Sequence, residues 1–235
     1  MFCIELAGFP IAINNKFGFV KALCRNYLTE KEPIFEVEAE EWEIDREISA
    51  DIAPEAPYAE SIVVYRKIAE RLPELGALVF HGAVISLPDG CYAFTARSGV
   101  GKTTHIMNWL GRFGEEVHIL NGDKPILKVE GGKIFACGTP WQGKEDLGVN
   151  ERQELSAIAF LDRGIENLGE KISGDEGVMR LMEQVYIPKN AAALRKTLEL
   201  VDKILAGVRL YKVFVNMDIS SADTVRRILE GNNRK

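Results

Sequence analysis

The sequence predicts an α/β protein on a mixed sheet, preceded by a small N-terminal α+β region. From Ala77 onward, short apolar runs follow one another closely and are separated by explicit turn residues. Amphipathic helical stripes bracket these runs on both sides. One run, GCYAFTA, passes through a turn of small residues straight into a helical pattern, so a strand feeds the N-terminus of a helix.

In chain order, FCIELAGFPIAIN holds two apolar runs around Ala7-Gly8, which suits a hairpin. A short helix near GFVKALCRNYLTE and an extended IFEVEAEE follow. In AESIVVYRKIAERL, Val64, Ile68 and Leu72 recur every four residues, one inward stripe of a helix. ISADIAPEAPYAE, with its two prolines, lies between and is the best boundary, giving a region 1–60 and a second region 61–235. The strands of the second region are ALVFHGAVISL, CYAFTA, EVHIL, PILKVE, KIFACG and LSAIAFL. Pro88-Asp89-Gly90 and Gly131-Gly132 between them have hairpin chemistry. The tail reads as a helix with Leu194, Leu198, Val201 and Leu205 inward, the strand YKVFVNM, and a last helix from Ser220-Ser221 carrying Val225, Ile228 and Leu229.

Composition narrows the function classes. The chain has 235 residues, enough for one compact domain with an appended piece. With 35 acidic against 29 basic residues and no basic stripe interleaved with aromatics, nucleic acid is not an expected partner. No apolar run has the length of a membrane span, and MFCIELAGFP lacks a basic leader and cleavage site, so a cytoplasmic location away from membranes is expected. Cys3, Cys24, Cys91 and Cys137 form no CxxC pair and are expected as free thiols. His105 and His118 read as structural. An assembly of several copies is compatible with the sequence.

The segment ARSGVGKTT fits a phosphate-binding loop, with Ala96 where the usual pattern begins with glycine. Gly99 and Gly101 let Ser98, Val100 and their neighbours turn backbone amides inward. The helix behind them offers its positive end, Lys102 on its solvent-facing loop reaches the outer phosphates, and Thr103, followed by Thr104, holds magnesium. The expected ligands are therefore ATP and Mg2+. Downstream, Asp123 in NGDK suits a metal, although the same tetrapeptide is good turn chemistry. CGTPWQGKEDLGVN is a costly composition for a mere connection: Lys144 is expected to contact phosphate and Trp141 to wall the acceptor or base pocket. The acceptor's base is open among His81, Asp123 and the acids Glu145 or Asp146.

In their order and spacing FHGAVIS, TARSGVGKTTH and HILNGDKPIL resemble the kinase core of the HPr kinase/phosphorylase family, whose wider fold is shared with ATP-dependent phosphoenolpyruvate carboxykinase. The resemblance is best over residues 77–126 and looser to the C-terminus; region 1–60 lies outside it. It implies an HPr kinase-like ATP-binding domain over 61–235, with His81 near the transferred phosphate and Asp123 as the metal-side acid. Gly122 stands where that family carries a second, base-side aspartate. The implied activity is transfer of the ATP γ-phosphate to a seryl or threonyl hydroxyl of a small protein or peptide. The missing aspartate leaves a second reading, a nucleotide-binding regulator or accessory protein with little turnover. A carboxykinase-like enzyme is disfavoured by the short chain and the lack of a manganese-ligand set.

Overall fold

The computed structural model describes residues 1–230, arranged around a three-stranded and a nine-stranded sheet. The first sheet begins with a hairpin of β1 (Phe2–Leu6) and β2 (Phe9–Asn14), in which Leu6 faces Phe9. Its two-residue turn puts Ala7 at φ 51° and Gly8 at φ 83°, the left-handed backbone that such a turn requires. Helix α1 (Gly18–Leu23) then leads to β3 (Phe35–Glu38), which adds to β2 in parallel. The expected extended run IFEVEAEE ends early: from Glu41 the chain is helix α2 (Glu41–Ser49). The Glu43 carboxylate accepts a hydrogen bond from the Glu40 amide at 2.9 Å, and this cap starts a helix that a charge-dense sequence hides. Helix α3 (Ala56–Arg71) packs Val64, Ile68 and the following Leu72 against Ile4, Leu6, Ile11 and Ile13. Glu47 of α2 is buried and accepts two hydrogen bonds from Arg66 of α3, at 2.5 and 2.9 Å.

The large sheet starts with β4 (Ala77–Val79) and β5 (Ala83–Leu87), where the sequence suggested one uninterrupted run; the break falls at Phe80-His81-Gly82. A hairpin leads to β6 (Gly90–Ala96), then helix α4 (Lys102–Phe113), β7 (His118–Asn121), β8 (Ile126–Glu130) and β9 (Lys133–Cys137). The long β10 (Arg152–Arg163), β11 (Leu168–Ile172), α5 (Gly174–Met182), α6 (Ala191–Gly207), β12 (Arg209–Val215) and α7 (Ser220–Glu230) complete the chain. Strand order is β4-β8-β9-β10-β6-β5-β7, and β12 lies parallel to β10 and carries β11 on its other side. Strands β6, β10 and β12 are parallel; the remaining pairs of this sheet are antiparallel, so the class is α/β with a mixed sheet.

Alternation along β6 explains the layers. Tyr92 and Phe94 point to the face covered by α4 and α7 through Ile106, Trp109, Val225 and Leu229. Cys91 and Ala93 point to the face covered by α5 and α6 through Leu181, Leu200, Val201 and Ile204. The inward stripe of α6 therefore differs from the expected one. Ala193, Thr197, Leu200, Val201 and Ile204 are buried, whereas Leu198 is 45% exposed. Thr197 turns inward because its hydroxyl donates to the Ala193 carbonyl at 3.0 Å, leaving no unmet polar group. Of the cysteines, all free, Cys24, Cys91 and Cys137 are buried and Cys3 is half-buried.

His105 is a core residue on α4, 2% exposed; its Nε2 accepts from the Trp109 indole at 2.9 Å and Nδ1 lies 3.4 Å from the Ser221 hydroxyl. His118, by contrast, is exposed on β7. Burial pushes the His105 imidazole down to about 4 from 6.5. A histidine neutral in the fold lets only the unfolded chain gain a proton, so its stability contribution is full above about pH 6.5 and is lost as pH falls toward 4. Native stability in urea is expected to drop by about 3 kcal/mol across that window. In His105→Gln, which keeps an acceptor for Trp109 without titrating, most of this pH dependence should vanish.

Candidate functional site

The loop at 97–101 leaves β6 at the end where β10 and β12 also finish, and enters α4 at Lys102. Gly99 at φ 79° and Gly101 at φ 115° supply the left-handed turns that side chains resist. The first intrahelical bond runs from the His105 amide to the Gly101 carbonyl at 2.9 Å. The amides of Lys102, Thr103 and Thr104 precede it and lack intrahelical acceptors, so the helix directs its positive end into the loop. Arg97, Ser98, Gly99, Thr103 and Thr104 are exposed and Val100 is half-buried. From the end of β10, Arg163 donates to the carbonyls of Gly99 at 2.7 Å and Val100 at 3.3 Å, which fixes the loop by its acceptors.

Lys102 is less open than its loop suggests: its side chain is 14% exposed, because it reaches across to Asp123 Oδ1 at 3.0 Å. His81 Nε2 lies 3.3 Å from the same oxygen, and Lys124 holds Oδ2. Three basic groups thus meet on one carboxylate. Burial pushes the Asp123 carboxyl up, but the hydrogen bond from His81 and the charges of Lys102 and Lys124 outweigh it and hold the group well below the usual carboxylate range.

The surrounding backbone fixes this cluster. The His81 amide donates to the Gln184 carbonyl at 2.7 Å, the Gly82 amide to the Asp123 carbonyl at 2.8 Å, and the Thr95 hydroxyl to the His81 carbonyl at 2.8 Å. Buried Asn121 accepts from the amides of Asp123 and Lys124 at 2.9 and 2.8 Å, while its own amide donates to Thr139. NGDK is therefore a tight turn and the carrier of the central acid at once.

Gly122 has a steric reason to be glycine, since a Cβ there would lie 2.4 Å from the Gln142 carbonyl oxygen. Loop 138–150 runs directly over the place a second aspartate would occupy. At Gly143 in that loop, a Cβ would lie 3.4 Å from Asp123 Cβ and 3.5 Å from a Glu145 carboxylate oxygen, so Glu145 stands across this glycine from Asp123. Glu145 is exposed and has no hydrogen bond or ion pair among the described residues. Lys144 is likewise exposed and unpaired among them. Asp146 turns away to Gln142 and Arg25, at 2.6 and 3.8 Å. Trp141 stacks flat on Tyr65 of α3, with centroids 4.1 Å apart at 8°, and its indole donates to the Ser61 carbonyl at 3.1 Å. It walls a cavity of about 510 Å³ that His81 and Lys124 also line.

The residues expected from sequence thus fall into two places: His81, Lys102 and Asp123 converge with Glu145 close by, whereas Lys144 stays at the loop surface. Lys124, Asn121 and Arg163 went unassigned. Lys124 had a signal, a cation next to the central acid, and Asn121 had one as part of the turn tetrapeptide; Arg163 acts on backbone carbonyls, which leave none. Among the described residues no group of three or more His, Cys, Asp or Glu side chains is placed to hold a metal. No helix there is long and apolar enough to cross a membrane.

No family model and no curated protein matches the chain. Among solved structures it is similar to the Hpr(Ser) kinase/phosphatase from Coxiella burnetii. The likeness covers 66% of this chain and 98% of that one, at 12% identity and a TM-score of 0.40, which identifies neither a family nor an activity.

Proposed function

We propose that the protein binds ATP with Mg2+ on loop 97–104 and transfers the terminal phosphoryl group to a seryl or threonyl hydroxyl of a small protein or peptide. The observation that supports this best is the meeting of Lys102, His81 and Lys124 on Asp123, at the mouth of an open glycine loop backed by a helix N-terminus. Three basic groups on one acid hold more positive charge than that acid needs, which suits a polyphosphate with its metal.

Bound magnesium ATP supplies a phosphoryl group primed by its ADP leaving group and by the charge of the metal. The loop amides and Lys102 would hold the phosphates, and Thr103 with Asp123 would hold the metal. Asp123 is a poor base because the basic groups around it stabilise its ionised form. Glu145, without such partners among the described residues, would take the hydroxyl proton at its carboxylate, and His81 would orient the oxygen. With a loose transition state, positioning outweighs full deprotonation, so slow transfer is expected even without a second aspartate.

The test is incubation of purified protein with terminally labelled ATP, magnesium and serine-containing peptides or small carrier proteins. Labelled acceptor is expected. Glu145→Gln and His81→Ala should each slow labelling by about tenfold or more without weakening nucleotide binding. Tight nucleotide binding with no transfer to any acceptor would instead favour the regulator reading, which the closed space at Gly122 supports.

A further inference from the structure

Helix α3 brings a row of side chains to the candidate site from far away in sequence. Tyr58, Ile62 and Tyr65, spaced four and three residues apart, share one face of the helix and line the cavity that His81 and Lys124 also line. Trp141 and Tyr186 complete the walls. None of residues 98–104 lines it. The cavity therefore adjoins the Asp123 cluster through His81 and Lys124 and not through residues 98–104.

Several polar atoms of these walls are engaged within the fold. The Tyr65 hydroxyl donates to the Lys124 carbonyl at 2.7 Å, the Trp141 indole to the Ser61 carbonyl at 3.1 Å, and the Tyr186 hydroxyl to Glu70 at 2.8 Å. Arg66, at the edge, is held by Glu47. The rings of Tyr58, Tyr65, Trp141 and Tyr186 and the aliphatic Ile62 supply the apolar part of the lining, and Glu183 and Gln184 stand with His81 and Lys124 as its polar part. Tyr58, 46% exposed, and Ile52, 54% exposed, stand at the mouth. Its volume of about 510 Å³ lies in the range of sites that enclose small ligands.

We infer that this cavity is the acceptor pocket, and that it takes a large aromatic or branched apolar side chain next to the acceptor hydroxyl of a peptide. The inference rests on the kinase reading, which makes the side of Asp123 away from the loop the acceptor side. Continuity with His81 and Lys124 places the hydroxyl near the terminal phosphate. The ring faces of Tyr58, Tyr65 and Trp141 are the means of selection, and burying one large apolar side chain against them supplies the affinity.

The test uses two heptapeptides with a central serine and glycine elsewhere, one carrying tryptophan on both sides of the serine. Calorimetry measures their binding to the full chain with magnesium and the β,γ-imido analogue of ATP; labelled ATP then measures transfer. The tryptophan peptide is expected to bind at least about tenfold tighter. Tyr58→Ala should reduce that preference and Ile62→Trp, which fills the cavity, should abolish it, with nucleotide affinity unchanged in both. Equal binding of the two peptides, measurable or not, or a preference that survives Ile62→Trp, overturns the inference. So does weakened nucleotide binding in folded Ile62→Trp, which would make the cavity the base pocket; Tyr58→Ala, at an exposed position, gives the same reading should Ile62→Trp fail to fold. If the preference holds but neither peptide is phosphorylated, the kinase reading fails while the pocket stands. If both peptides bind equally and are phosphorylated equally, the kinase reading stands and the pocket fails.

Discussion

Lys102→Met is expected to weaken magnesium ATP binding by about a hundredfold, the loss that follows when a charge-assisted contact to phosphate is removed. Methionine is the informative replacement because the lysine stem is largely covered and only its ammonium group reaches Asp123. The fold should survive, since Asp123 keeps His81 and Lys124 as partners. Equilibrium titration with a fluorescent ATP analogue, together with urea unfolding of both proteins, separates lost binding from lost stability. Equal affinity in a stably folded variant would remove the loop from the account.

Asp123→Asn is expected to abolish the magnesium dependence of nucleotide binding and to lower phosphoryl transfer by about a hundredfold. Asparagine keeps the turn, because the Asn121 side chain holds the backbone amides of positions 123 and 124 rather than the acid itself. It removes the charge on which Lys102, His81 and Lys124 converge, so these groups become free for phosphate and metal-free ATP should bind at least as well as before. The depressed carboxyl adds a second signature. Its contribution to stability is present above the unfolded-state value near 3.8 and is lost as pH falls through the lower folded-state value. The variant should therefore lose this acid-limb component while keeping the fall between pH 6.5 and 4 that belongs to His105. Binding by calorimetry with and without magnesium decides the first part; an unchanged magnesium dependence would confine Asp123 to the turn.

The parts of the molecule governed by local chemistry were legible from sequence. The Ala7-Gly8 and Gly131-Gly132 hairpins and the passage from β6 into α4 depend on backbone preferences that individual residues announce. Helix α2 was hidden because its sequence, EWEIDREIS, buries only Ile44 and Glu47, and Glu47 is inward because Arg66 of α3 meets it. Strand β11 was hidden because four of its five residues are exposed and its partner, β12, comes some forty residues later. The site divides in the same way. Lys102 and Asp123 sit in stretches whose composition is itself a signal, whereas the Tyr65–Trp141 stack joins positions far apart in the chain. The want of room at Gly122 depends on a loop crossing over it, and only the family resemblance marked that position, as one where an acid was missing.

Hydrogen–deuterium exchange with and without saturating magnesium ATP reads out whether backbone amides of this loop hold phosphate. Nucleotide is expected to slow exchange chiefly at residues 98–105 and at the turn 121–124, and Lys102→Met to lessen this protection at equal nucleotide concentration. Protection confined to other parts of the sheet, or none at these two stretches while nucleotide is demonstrably bound, would contradict that role of the loop.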